Sequence, residues 1–272
     1  MKKSKTNFLY STIFLKREKR LALNCVYAFC RKSDDIVDDE TSTPEEKLIR
    51  LDEWKEEFTN SINGNIRNNY FIALNFVINK YKIPVSAFLD LLKGMELDIS
   101  GKKYQTFEDL YQYCYYAAST VGLMSIPIFG YKNSDTVDFA VNLGIAMQLT
   151  NILRDVAKDA KNGRIYLPLE DMEKFQYTEK DILNNNYNDN FRQLMKYQCK
   201  RAEEYYKRAD KFLAVEDSRN MITAKIMEII YHNLLYRIEK LEYNVYGNTI
   251  RIPKVKKLFL AYGIYLKNKL SL

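Results

Sequence analysis

Residues 27–39 read YAFCRKSDDIVDD, and their spacing is that of a helix with one polar face. Tyr27, Arg31, Asp34, Asp35 and Asp38 stand at i, i+4, i+7, i+8 and i+11, in line along that face. Leu21, Cys25, Ala28 and Phe29 supply an apolar stripe for the same helix, which is predicted from about Lys16 to Asp39. The run DDIVDD packs four aspartates into six residues. Such like charges repel one another, so the segment costs stability unless a cation or a strongly basic group neutralises it.

A second polar row follows the same rule. Gly144, Gln148, Asn151, Asp155 and Asp159, with Arg154 beside them, lie in a long predicted helix from Ser134 to about Ala160. Val141, Ile145, Met147, Leu149, Ile152, Leu153 and Val156 make most of its circumference apolar, so the helix is expected to be buried and its polar row to need a partner. Oxygen ligands on this row, facing DDIVDD across a cavity, suit hard Mg²⁺ ions, with Mn²⁺ as the alternative. Such ions take carboxylate and amide oxygens plus water and bridge to substrate phosphate. Bound there, they make a diphosphate a leaving group, and Arg31 and Arg154 add bidentate contacts to its oxygens. The plainer alternative is a pair of acidic faces in solvent, bridged to lysines.

The rest of the chain reads as helices throughout. Only 9 glycines and 5 prolines interrupt 272 residues, which disfavours β and α/β folds and predicts one all-α domain over residues 1–272. Thr43-Pro44-Glu45-Glu46 starts a helix that ends near Asn63-Gly64; others run from about Asn68 to Lys82 and from Val85 to Ser100. Thr106 to Asp109 caps the tyrosine-rich YQYCYYAASTVG, in which Gly122 lets a neighbouring helix approach closely. Residues 164–177 form a connector containing Pro168. Thr178 to Asp181 starts a helical region, with two long helices near 188–214 and 217–244 and a basic amphipathic tail from Arg251 to Leu272.

At these motifs the sequence resembles the squalene/phytoene synthase family. YAFCRKSDDIVDD is similar to the family's first aspartate-rich motif, and QLTNILRDVAKDAKNGRIYLP, residues 148–168, to its second; GMELDISGKKYQTFEDLYQYCYYAASTVG follows the pattern between them. The resemblance implies an all-α, single-domain helical bundle around a central cavity. It implies that Asp34, Asp35, Asp38, Asn151 and Asp155 hold Mg²⁺ and that Arg31, Gln148 and Arg154 contact diphosphate. Tyr27 and Tyr113 would line the reaction centre, Tyr231 matches a cavity tyrosine, and Arg251 with Lys254 matches the basic end of the last motif. The expected reaction is head-to-head condensation of two prenyl diphosphates through a cyclopropyl diphosphate, with NADPH needed only if the product is reduced to squalene. TNFLYS and YAFCR favour farnesyl diphosphate; the alternative is phytoene synthesis from geranylgeranyl diphosphate. Phe8, Tyr10, Phe29 and Tyr113 are the bulky residues expected to cap or line the cavity. Lys5-Thr6-Asn7-Phe8 departs from the family's Ser-Lys-Ser-Phe.

Other classes fit less well. Head-to-tail prenyltransferases and cyclising terpene synthases use similar aspartate motifs but lack the GRIYLP segment and the YAFCR lead-in, and an inactive assembly protein would have lost metal ligands that are all present. A net charge of +7 calls for an anionic partner, yet no recognisable module gathers it for nucleic acid. Cys25, Cys30, Cys114 and Cys199 make no CxxC pair, which argues against zinc and disulfides and for the cytoplasm. His232, the one histidine, lies in MEIIYHNLLY and is expected to be a packing residue. The N-terminus lacks a signal-peptide cleavage pattern, no run reaches the roughly 18 apolar residues of a membrane span, and the tail predicts weak membrane-surface association. Nothing in the sequence speaks to oligomeric state.

Overall fold

The structure, a computed structural model, describes residues 11–270. The residues at 5–8 and the expected cavity caps Phe8 and Tyr10 lie outside that range. The described chain folds into α1 (Arg17–Val37), α2 (Pro44–Ile62), α3 (Asn69–Tyr81), α4 (Val85–Ser100) and α5 (Phe107–Cys114). A π-helical turn (Tyr115–Ser119) leads into α6 (Thr120–Phe129), followed by α7 (Asp135–Lys161), α8 (Leu169–Lys174), α9 (Glu179–Leu183), α10 (Asp189–Phe212), α11 (Ile222–Lys240) and α12 (Lys254–Leu270). No strand is present among the described residues.

The helix starts are chemically specified. Thr43 accepts from the Glu46 amide while the Glu46 carboxylate accepts from the Thr43 amide, and Thr106 with Asp109 and Thr178 with Asp181 repeat that reciprocal capping. Each such cap is worth about 1 kcal/mol.

Two departures from the sequence reading have physical causes. The connector 164–177 contains α8: Pro168 cannot continue the preceding chain but opens a helix well, and Glu170 and Asp171 occupy its first turn. Within YQYCYYAAST the α-helix loosens to the π turn where α7 crosses it most closely. There a Cβ on Gly144 would lie 2.5 Å from the Ser119 Cα, so only glycine permits the crossing. Gly122, as expected, meets α7 at the Ala140 carbonyl, 3.0 Å from where its Cβ would be. Gly144 is thus a packing residue as much as a member of the polar row.

Helix α7 runs through the middle of the bundle, packed on α10, α11, α6 and the π turn. Behind α1 stands an aromatic cluster, Phe29, Trp54, Phe58, Phe71 and Phe88, with neighbouring ring centroids 4.9 to 6.2 Å apart. Burying each ring stabilises the fold by roughly 1.5–3 kcal/mol. Phe29 is therefore a core residue and does not cap the cavity. Ser33, fully buried beside this cluster, donates to the Phe29 carbonyl and accepts from the Trp54 indole N–H at 3.2 Å. These contacts fix the rotation of α1 and turn Asp34 toward α4 and α7.

His232 is a correction. It is half exposed, pairs through Nε2 with Glu203 at 2.6 Å and sets its ring edge-on to Tyr206. The apolar run around it faces inward; the histidine itself does not.

Candidate active site

A cavity of about 330 Å³ opens between α1, α4, α6, α7 and α11. One end is polar, walled by Tyr27, Asp34, Asp98, Tyr113, Gln148, Asn151 and Tyr231. The other is apolar or small: Ala117, Ala118, Gly122, Ser125, Phe129 and Ala140 among others. Helical register gives the long axis. From Asn151 back to Phe139 the residues of α7 that line the wall span about 18 Å.

At the polar end, the chain of hydrogen bonds begins on α7. Asn151 Nδ2 donates to Gln148 Oε1 and Gln148 Nε2 to the Tyr113 hydroxyl, each at 3.4 Å. Tyr113 donates to Asp98 Oδ2 at 3.2 Å, and Tyr166 donates to Asp98 Oδ1 at 2.8 Å. Tyr104, Tyr113 and Tyr166 pack ring on ring. Burial, then the Asp98 charge, holds the Tyr113 hydroxyl well above the ordinary tyrosine range, so it stays protonated.

The carboxylates divide by environment. Asp34 is half-buried, and its desolvation, reinforced by the Asp38 charge, raises its pKa to about 7; Asp159 is raised to about 7 by desolvation and by Asp155. Burial also raises Asp98, against the pull of Arg164 and its two tyrosine donors. Asp35 instead pairs with Arg31 at 2.7 Å, half exposed, and Asp155 pairs with the adjacent Arg154. Asp38 faces Arg164 at 3.7 Å.

The structure therefore brings Asp34, Asn151, Gln148, Tyr27, Tyr113 and Tyr231 to one cavity wall. Arg31, Asp35, Asp38, Arg154 and Asp155 are not among the wall residues and are held in the ion pairs just described. Arg251 and Lys254 are exposed at and before the start of α12.

Four residues at this end were not singled out as site residues from the sequence. Asp98 and Tyr166 sit in segments read only as family pattern, GMELDIS and GRIYLP. Arg164, in the second of these, is the cation that spans the carboxylates of α1 and α4. Lys257 has its side chain buried, and burial together with the charges of Arg154 and Lys254 holds its pKa below the ordinary lysine value. A lysine in a tail read as basic and amphipathic gave no signal that it turns inward.

The donor set fits a hard divalent cation. Asn151 Oδ1 is buried without a hydrogen-bond partner, and Asp34 and Asp159 are carboxylates held out of water that lack a full countercharge. No three acidic, histidine or cysteine side chains converge into a ready-made cage among the described residues. Mg²⁺ usually takes one or two carboxylates and completes its shell with water and substrate phosphate.

Comparison with known proteins identifies the family. The squalene/phytoene synthase family model matches residues 1–258. A 15-cis-phytoene synthase of Synechocystis sp. is 36% identical, with 96% of this chain and 80% of that protein covered; one of Synechococcus elongatus is 34% identical over 92% and 85%. Among solved structures, a dehydrosqualene synthase superposes with TM-score 0.85 at 30% identity, covering 98% of this chain and 93% of that one. Squalene synthase HpnC from Alicyclobacillus acidocaldarius gives 0.80 at 29%, covering 88% and 89%. With its helical bundle, its central cavity and both aspartate motifs in place, the chain belongs to the squalene/phytoene synthase family and is a prenyltransferase of the head-to-head type.

Proposed function

We propose that the chain joins two geranylgeranyl diphosphates through a cyclopropyl diphosphate to give phytoene. The observation that carries the choice of substrate is the naming of relatives 34–36% identical over at least 92% of the chain as phytoene synthases. The farnesyl preference taken from TNFLYS and YAFCR has support only from the solved structures named for dehydrosqualene and squalene synthases, at 30% and 29% identity.

The reading assigns roles residue by residue. Asp34, Asp38, Asn151 and Asp155 hold Mg²⁺, or Mn²⁺, with Asp35 at the rim; the bound metal neutralises the diphosphate and eases its departure. Gln148, Arg31, Arg154 and Lys257 contact diphosphate oxygens, and Arg251 and Lys254 draw the anion toward the mouth. Arg31 and Arg154 are prepaired with Asp35 and Asp155, so substrate exchanges one anionic partner for another without exposing a bare charge. The allylic cation left by ionisation meets the faces of Tyr27, Tyr113 and Tyr231, with their negative quadrupoles, while the apolar walls exclude water. Burial and the Asp98 charge favour the protonated form of Tyr113, which disfavours it as the base. The reading therefore assigns the proton to the departed diphosphate and leaves Tyr113 to orient Gln148. Phytoene needs no reduction, so NADPH has no part in it.

The hydrocarbon product has almost no aqueous solubility, and the reading includes its release toward an apolar phase. The test is parallel incubation with farnesyl and geranylgeranyl diphosphates, with Mg²⁺ and without nicotinamide, followed by mass spectrometry. Phytoene from the longer substrate is expected. A C30 product made at comparable rate would restore the farnesyl reading, and no turnover of either would favour an inactive assembly protein.

A further inference from the structure

Helix α12 is docked by one face only. Lys257 and Ala261 are buried, Leu260 and Ile264 pack half-buried against the core, and Tyr265 stacks on Phe14 with ring centroids 4.3 Å apart. Its opposite face carries Val255, Phe259, Tyr262, Leu266 and Leu270, which recur at helical spacing as a single stripe. Phe259 is 74% exposed, Leu270 80% and Val255 63%. At about 22 Å long the stripe crosses most of the helix. Isolated exposed leucines are ordinary, but a contiguous apolar row on one helix marks a covered surface.

The charges around the stripe say what covers it. Arg251, Lys254, Lys256, Lys267 and Lys269 are exposed beside it, and no acidic residue occurs from Arg251 to Leu270. A second copy of the chain on this face would set basic rows against each other, which costs free energy. An anionic lipid surface matches both features, since it offers negative headgroups to the lysines and acyl chains to Phe259 and Leu266.

We propose that the outer face of α12 lies in the headgroup layer of an anionic membrane, parallel to its plane. Leu260 and Ile264, on the other side of the helix, turn inward. Phe14, stacked on Tyr265, is three residues from Ser11, which lines the cavity, so the lipid-facing helix is braced against the chain that forms the cavity wall. A hydrocarbon leaving the cavity then has an apolar phase beside the protein. The inference uses the proposed reaction only for that last step.

The experiment is flotation of the full chain with vesicles of phosphatidylcholine alone or mixed with phosphatidylglycerol. The native chain is expected to bind the anionic vesicles at least about tenfold more strongly, and to lose that excess at about 1 M salt, where the screening length is about 3 Å. The double variant Phe259→Ser with Leu266→Ser should lower binding about tenfold or more, and Lys256→Gln with Lys269→Gln should abolish the preference for phosphatidylglycerol. Both should keep native circular dichroism and release diphosphate from geranylgeranyl diphosphate in vesicle-free buffer at the native rate. Absence of the native chain from anionic vesicles at low salt, or undiminished binding by the Phe259/Leu266 variant, would overturn the proposal. So would light scattering in which the native chain is a dimer that this variant splits, since the face would then belong to a second copy. Vesicle binding without turnover would leave this proposal standing and count against the reaction.

Discussion

The two ends of the cavity are built on opposite principles. The polar end gathers charged and amide groups from α1, α4 and α7 and leaves Asn151 Oδ1 unpartnered and Asp34 without full countercharge. The apolar end satisfies its polar atoms locally: Ser125 donates to the Val121 carbonyl one turn back, and Lys19 caps the Phe129 carbonyl at 2.5 Å. The exception there is the Thr223 hydroxyl, buried without a partner. The difference separates two tasks. On the proposed reading, the unfinished electrostatics at one end receive an anionic, metal-bound group, while the walls at the other measure the length of a chain that makes no directional contacts.

Breaking the polar end should have the largest effect. Asp38→Asn and Asp155→Asn each keep side-chain volume but remove a charge, and each is expected to cut turnover by about 10²–10³-fold with circular dichroism unchanged. Removing one charge from DDIVDD should leave melting temperature level or slightly raised. Near-native turnover in both variants would remove the two-row site.

Filling the apolar end should change which substrate is used while sparing the chemistry. Ala140→Leu puts bulk into the wall beside Gly122, and is expected to lower turnover of geranylgeranyl relative to farnesyl diphosphate by about tenfold or more, read by competition and mass spectrometry. An equal loss with both substrates would show that this wall does not measure length.

Between the two ends stands the crossing at Gly144. Gly144→Ala should lower stability by about 1–3 kcal/mol, seen as a melting temperature several degrees lower, because its Cβ would meet backbone that cannot step aside. An unchanged melting temperature would mean that the π turn adjusts freely.

A pH dependence of stability should also arise at the polar end. With Asp34 and Asp159 raised to about 7, the metal-free native protein keeps protons that the unfolded chain has released above about pH 4. Stability should then fall as pH rises from about 4 to about 7. Calorimetry in the presence of a chelator should record that slope, and Asp34→Asn should lessen it while Asp159 keeps its share; an undiminished slope in the variant would place the titration elsewhere.

How much of this was legible in the sequence follows the same division. Charged residues at helical spacing announce themselves, so α1 and α7, their shared polar face and the caps at Thr43, Thr106 and Thr178 were all readable. Asp98 was not, because a single aspartate in an amphipathic helix looks like a surface residue until Tyr113 and Tyr166 are seen to converge on it. Phe29 and His232 were misread for a related reason. Periodicity identifies an apolar side but not what it packs against, and Phe29 found three aromatic neighbours in the core while His232 fell on the outer edge of its helix. Lys257 and Leu260 show the same limit at α12, where only docking decides which face is inside.

The most direct test counts diphosphates. If two prenyl diphosphates are joined head to head at the polar end, each molecule of C40 hydrocarbon formed from geranylgeranyl diphosphate must be accompanied by two released diphosphates. Both the hydrocarbon and the released diphosphate should vanish when divalent metal is chelated. A ratio of one, with a linear, not cyclopropyl, prenyl diphosphate as product, would mean head-to-tail coupling; together with release that persists without metal, it would contradict the account of the site given by its carboxylates.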